Sequence, residues 1–336
     1  MRRHLSGRPG FWKRCAACPG TLILAAAALG CGSSPSASQT QTAASSPPAA
    51  TAGTLQATDA APPPGKSGGF DGQRAFEHVR KLVEIGPRPA ASEGIHKAQE
   101  YIESELRSFG CSFEEDNFSA STPIGTVQLK NIVVKIPGAK RSVILLTTHY
   151  DTKMMAGFVG ADDGGSSTGL MLEMARTLCG RKNALSIWIA FFDGEEAFRE
   201  WDKDNDNTYG SRQMAAKLSQ TGDLKRVKAM MLADLIGYRD LRIKRDSNST
   251  KWLTDLVWST ASRLGYSRVF VSDETGIEDD HLAFLKRNVP SVDVIDLEIP
   301  YWHTPQDTLD KISPQSLAIV GHVFLETVSE LEKRFQ

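Results

Sequence analysis

Acidic and imidazole side chains recur in this chain where apolar runs end. His149-Tyr150-Asp151 follows Val143–Thr148, and Gly160-Ala161-Asp162-Asp163-Gly164-Gly165 lies in the loop beyond. Asp193-Gly194-Glu195-Glu196 follows Leu185–Phe192, Asp234 follows Ala229–Ala233, and Trp302-His303-Thr304 comes shortly after Ser291–Ile295. Singly, each has a bland reading: an aspartate after a strand is often a helix cap, and a glutamate pair is usually a solvated face. Their joint placement is the signal, because one edge of a sheet would gather them all. Asp, Glu and His are the oxygen and nitrogen donors of a catalytic zinc, which keeps about three protein ligands and an open position. The adjacent Glu195-Glu196 can divide the work, one carboxylate on a metal and its neighbour acting as general acid/base.

The elements that must hold these residues alternate in type. Phe76, Val79, Leu82 and Val83 recur at helical spacing up to the breaker Gly86-Pro87-Arg88-Pro89. Further helices are expected over 95–109, 169–178, 211–218, 252–264 and 314–332. Strands are expected at 132–136, 143–148, 185–192, 229–235 and 291–295, and the nearly all-apolar 185–192 reads as buried on both faces. Strands separated by helices predict an α/β fold: an open, mostly parallel twisted sheet flanked by helices on both faces, in a single domain. The first two strands are expected to add an antiparallel edge. Sites in such sheets form beyond the carboxyl ends of the strands, where the ionisable residues fall.

A chain of 336 residues, 40% hydrophobic, is long enough for one sizeable core. Its formal charge of −1 argues against a nucleic-acid surface. Residues 1–30 read as a signal peptide: Arg2, Arg3, Lys13 and Arg14 precede a short apolar run ending Ala28-Leu29-Gly30-Cys31. Small residues before a cysteine resemble a bacterial lipoprotein cleavage box, so Cys31 is expected to be acylated and to tie the exported protein to the cell envelope by a membrane anchor. Residues 31–69, rich in Ser, Ala, Thr and Pro, read as a disordered tether to a folded domain over 70–336. Cys15 and Cys18 lie in the removed segment. Cys111 and Cys179 are expected to be free, buried thiols, although an exported protein could pair them.

The motif series is similar to the zinc aminopeptidase clan, and within it to the animal-type glutaminyl cyclases. The likeness is nearly residue for residue over Phe191-Phe192-Asp193-Gly194-Glu195-Glu196-Ala197-Phe198, then Trp201 and Tyr209-Gly210-Ser211-Arg212. It continues through Leu232-Ala233-Asp234-Leu235-Ile236-Gly237, Asp279-Asp280-His281 and Trp302-His303-Thr304. The resemblance implies closure of the N-terminal glutamine of peptides to pyroglutamate with loss of ammonia, using one zinc per chain. It implies ligands at Asp163, Glu196 and His303, a proton carrier at Glu195, acidic partners at Asp234 and Asp279, and pocket walls at Trp201 and Trp302. His149 is left outside the ligand set, although its equivalent in two-zinc aminopeptidases binds a second metal. His281 reads as a satisfied interior histidine or a supporting group.

The chain also departs from that pattern. Thr148 and Thr168 stand where animal cyclases often carry a disulfide. Glu278 replaces a glutamine at the pocket rim, which would shift preference towards basic or less acidic peptides. Asp293 stands in place of a histidine, and the shorter loop 296–301 leaves one aromatic wall residue without a counterpart. The competing function is a two-zinc aminopeptidase in which Glu195 activates a bridging water. A catalytically dead binding protein would be expected to have lost ligands. A monomer is expected by analogy alone.

Overall fold

The computed structural model describes residues 59–201, 203 and 205–336. The signal peptide, Cys31 and the tether up to residue 58 lie outside the described residues. The described chain runs α1 (Gly72–Ile85), α2 (Glu93–Ser108), β1 (Phe113–Thr122), β2 (Gly125–Ile136), β3 (Gly138–His149), α3 (Gly165–Cys179) and β4 (Asn183–Phe192). It continues with α4 (Tyr209–Thr221), β5 (Val227–Asp234), β6 (Ile243–Asp246), α5 (Lys251–Arg263), β7 (Phe270–Thr275), α6 (His281–Leu285), β8 (Ser291–Ile295) and α7 (Pro314–Phe335).

Local chemistry sets these boundaries. Asp71 caps α1 by accepting from Gln73 N and Arg74 N, and Gly86, at φ 90°, ends it. Ser92 accepts from Ile95 N at the start of α2. The β4 run alternates between two cores. Ile187, Ile189 and Phe191 face the cluster filled by α1, α2, α3, α5 and α7, while Trp188, Ala190 and Phe192 face the one filled by α4 and α6. A strand covered on both sides has no polar face, which is why its sequence is a continuous apolar run.

The main sheet has the order β1-β2-β4-β3-β5-β8. β3 is parallel to β4 and β5, and β5 to β8, whereas β1, β2 and β4 pair antiparallel. The antiparallel edge is therefore β1 with β2, and the expectation that the first two predicted strands form it is corrected: β3 lies in the parallel interior. β1 went unread because Glu114, Glu115, Asp116 and Asn117 interrupt its apolar pattern, as suits an edge strand. The short parallel pair β6–β7 and the helix α6 also went unread.

Packed structure also begins upstream of Phe70. Ser67 is buried and donates to Phe70 O at 2.8 Å, and Asp59 pairs with Arg239 at 3.1 Å. Among the described residues, no helix is long and apolar enough to cross a membrane.

Cys111 and Cys179 are joined in a disulfide, with Cα atoms 5.7 Å apart, so the expectation of free thiols is corrected. Cys111 follows α2 and Cys179 ends α3. Only the packing of these two helices brings them together, which no spacing in the sequence records. Closing a span of 68 residues removes unfolded-state entropy worth about 4 kcal/mol in the chain-entropy model. Reduction, or the double substitution Cys111→Ala/Cys179→Ala, should lower the unfolding free energy by roughly that amount. Equal denaturation midpoints with and without reductant would contradict it.

Candidate active site

The parallel register brings four strand ends to one rim: His149 pairs with Phe192, and Asp234 with Ile295. Asp163, Glu196 and His303 meet there, each offering a donor atom within 4.8 Å of the others. His303 Nε2 lies 3.2 Å from Glu196 Oε1 and 3.4 Å from Asp163 Oδ2. Asp163 Oδ2 is buried with no hydrogen-bond partner among the described residues. Two buried carboxylates, one with an orphaned oxygen, beside an imidazole make a donor set that fits a divalent metal of the zinc type.

The site attracts cations. Burial works against an ionised Asp163, but the imidazoles of His149 and His303, each 3.4 Å away, hold its carboxyl below the ordinary range. His303 would lose its proton to burial, yet Asp163 and Glu196 raise it to about 9. Burial drives Glu195 well above the usual carboxylate range, and Glu196 and Asp279 push further in that direction. Burial, then Asp234 and Asp280, do the same to Asp279. Glu195 can therefore carry a proton near neutral pH, as a general acid/base requires.

A cavity of about 390 Å³ opens onto these groups. Glu195, Asp234 and Asp279 line it together with the candidate ligands, and Trp201, Trp302 and Glu278 complete its wall. All the site residues proposed from the sequence thus share one space. Trp302 is 42% exposed and stacks on His303 with ring centres 4.3 Å apart, so it forms a rim over that imidazole rather than a buried wall. The loop after β8 contributes Leu297 where an aromatic residue was sought.

His149 is buried against the same groups: Nε2 is 3.0 Å from Asp234 Oδ1 and 3.4 Å from Asp163 Oδ1. With Asp163 and Asp234 it makes a second set of donors within 4.8 Å. Burial disfavours its charge, but Asp234 and Glu195 carry its pKa well above the ordinary value. Thr148 donates to Ser167 Oγ at 2.7 Å and Thr168 donates to His149 O at 2.9 Å, so hydroxyls rather than a cross-link tie this strand end to α3. Behind the cavity, the buried His281 lies 3.1 Å from Asp246 and 3.7 Å from Asp293, and both Asp293 oxygens lack hydrogen-bond partners among the described residues.

Several supporting groups escaped the sequence reading. Asp151 accepts from Glu195 N and Glu196 N, at 3.1 and 3.3 Å, and so aims the glutamate pair. Asp307 accepts from Asp162 N and Asp163 N, at 2.8 and 3.0 Å. Lys153 reaches Glu196 at 3.2 Å. Gly164 sits at φ 73°, where a Cβ would meet Asp151 O at 2.7 Å. Leu235 and His303 take left-handed conformations, φ 47° and 51°, that non-glycine residues seldom adopt. Such strain persists only where surrounding contacts impose it, commonly at functional sites.

Arg88, read from the sequence only as part of a helix breaker, is fully buried. It donates to Tyr150 O, Val159 O and Gly160 O at 2.9, 2.6 and 2.8 Å. Burial lowers its pKa to about 10, so it stays charged. Its planar fork ties the end of β3 to the loop carrying Asp163, a geometry one ammonium group cannot reproduce. Arg88→Lys should therefore cost about 2–4 kcal/mol in chemical denaturation. A loss below 0.5 kcal/mol, on the order of an ordinary surface change, would contradict this role.

Residues 131–328 match the model of peptidase family M28. A glutaminyl-peptide cyclotransferase of Drosophila melanogaster is 32% identical over 74% of this chain and 79% of its own length. A glutaminyl cyclase structure from an Acidobacteriales bacterium is 41% identical, with a TM-score of 0.75 over 84% of this chain and all of that one. The glutaminyl cyclase of Porphyromonas gingivalis is 28% identical, with a TM-score of 0.72 over 78% of this chain and 99% of its own.

Proposed function

Because the chain belongs to peptidase family M28 and, within it, to the glutaminyl-peptide cyclotransferases, we propose that it is a zinc-dependent enzyme closing N-terminal glutamine to pyroglutamate. The observation that carries the proposal is one cavity shared by the Asp163–Glu196–His303 cage, the raised carboxyl of Glu195 and the two indoles. Asp163, Glu196 and His303 would hold one zinc ion, which supplies a Lewis acid for the γ-carbonyl oxygen of the substrate.

The remaining work falls to the chain's own side chains. The reaction joins the α-nitrogen of glutamine to its own γ-carbonyl carbon and breaks the bond from that carbon to the amide nitrogen. The main task is to hold the side chain folded back. Trp201 and Trp302 flank the glutaminyl side chain and limit water. Asp234 and Asp279, both with carboxyls raised first by burial, hold the α-amine without placing two full negative charges side by side. Glu195 delivers its proton to the departing nitrogen, which leaves as ammonia, and takes one from the α-nitrogen in return.

One observation favours a second reading. The His149–Asp163–Asp234 cluster offers a further set of donors, as a two-zinc aminopeptidase would require. Against it stand the relatives, which are named glutaminyl cyclases, and the indoles of Trp201 and Trp302, which narrow the cavity.

We also propose that the protein is exported and acylated at Cys31. The Cys111–Cys179 disulfide supports an oxidising compartment. Replacing Cys31 by Ser should move the protein from the membrane to the soluble fraction, and retention in the membrane would count against the anchor.

The domain incubated with a Gln-initiated peptide should release ammonia and leave a blocked N-terminus, lose activity to a chelator and regain it with zinc. Glu195→Gln should keep the metal and lose about 10²–10⁴ in kcat. Free glutamine as the product would favour the aminopeptidase, and loss of metal from that variant would mean that Glu195 and Glu196 exchange roles.

A further inference from the structure

A second cavity of about 420 Å³ adjoins the first and shares Trp201, Glu278 and Asp279 with it. Its far wall is basic, formed by Arg212 of α4 with Lys286 and Arg287 just beyond α6. Arg212 is fixed in place: it donates to Asn205 O and Asn207 O at 2.7 and 2.6 Å, and its guanidinium lies 4.8 Å from the centre of the Tyr209 ring. Arg287 Nη1 donates to Ala283 O at 2.8 Å, and Lys286 is exposed. Among the described residues, none of the three lies within 4.0 Å of a carboxylate oxygen. Asp206, the acid nearest Arg212 in sequence, is already occupied by the backbone N–H groups of Phe198, Arg199 and Glu200.

A peptide whose first residue fills the first cavity must put its second residue in an adjoining space. Resting on the cyclase reading above, we propose that this second cavity is the subsite for the residue after the N-terminal glutamine and that it selects an acidic side chain there. Arg287 uses Nη1 on Ala283 O and presents its Nε and Nη2 edge to a carboxylate for paired hydrogen bonds, while Arg212, whose Nε and Nη2 are engaged by backbone carbonyls, and Lys286 add positive charge. Glu278 and Asp279 on the shared wall oppose this field with two carboxyl groups against three basic groups. The preference is thus opposite to the one that Glu278 alone suggests.

The test uses two peptides, Gln-Asp-Ala-Phe-amide and Gln-Lys-Ala-Phe-amide, whose amidated ends remove any terminal carboxylate. Turnover is read as ammonia release, and binding is read separately by calorimetry on the Glu195→Gln variant. The aspartyl peptide should be favoured by about fivefold in kcat/KM and in affinity, as a few partly exposed charge pairs allow. The double substitution Lys286→Gln/Arg287→Gln, which spares the loop contacts of Arg212, should abolish that ratio. Equal use of the two peptides, or a preference that survives the double substitution, would overturn the subsite. If neither peptide releases ammonia, the cyclase reading fails, and the calorimetric ratio still decides whether the subsite exists.

Discussion

Like charges crowd the carboxyl rim of this sheet on side chains that are themselves buried. Asp163, Glu195, Glu196, Asp234 and Asp279 are all buried and face a common space. Ionising them all without a counter-charge would be prohibitively unfavourable, because burial removes solvation and brings like charges together. The rim resolves this in two ways. Burial and like charges drive Glu195 and Asp279 towards the protonated form, and the rest draw in cationic partners. A proton on His303, or a metal ion among Asp163, Glu196 and His303, answers the same deficit of positive charge.

Such a rim keeps its shape only if the backbone beneath it cannot yield. The parallel β3, β4, β5 and β8 end together, so every loop leaves from the same level. Asp151 and Asp307 use their carboxylates on backbone N–H groups rather than on the cavity, and Arg88 gathers three carbonyls beneath the Asp163 loop. Buried carboxyls and a strained His303 on a stiff support suit a reaction whose main demand is to hold one flexible side chain in a folded-back pose.

Much of this was legible because the sequence marks strand ends clearly. Apolar runs followed by His149, Asp193 or Asp234 locate the rim, and a parallel sheet then brings distant segments together. The candidate ligands could be named from motif resemblance, and they meet in space. What stayed hidden depends on tertiary neighbours. The pairing of Cys111 with Cys179 follows from how α2 packs on α3. The placement of β3 inside the sheet follows from a strand order that its length and composition do not encode. Arg88 looked like part of a breaker because three bonds to carbonyls leave no pattern in the residues that supply them. β1 is polar because it is an edge, and the periodicity that reveals interior strands is absent there.

The claim on which this account depends is that the rim holds one metal ion, between Asp163, Glu196 and His303. A crystal of the zinc-loaded protein, measured on both sides of the zinc absorption edge, tests it directly. A single anomalous peak bounded by those three side chains is expected, with His149 bonded to Asp234 and not to metal. A second peak of comparable height between His149 and Asp234 would contradict it and favour the two-metal hydrolase.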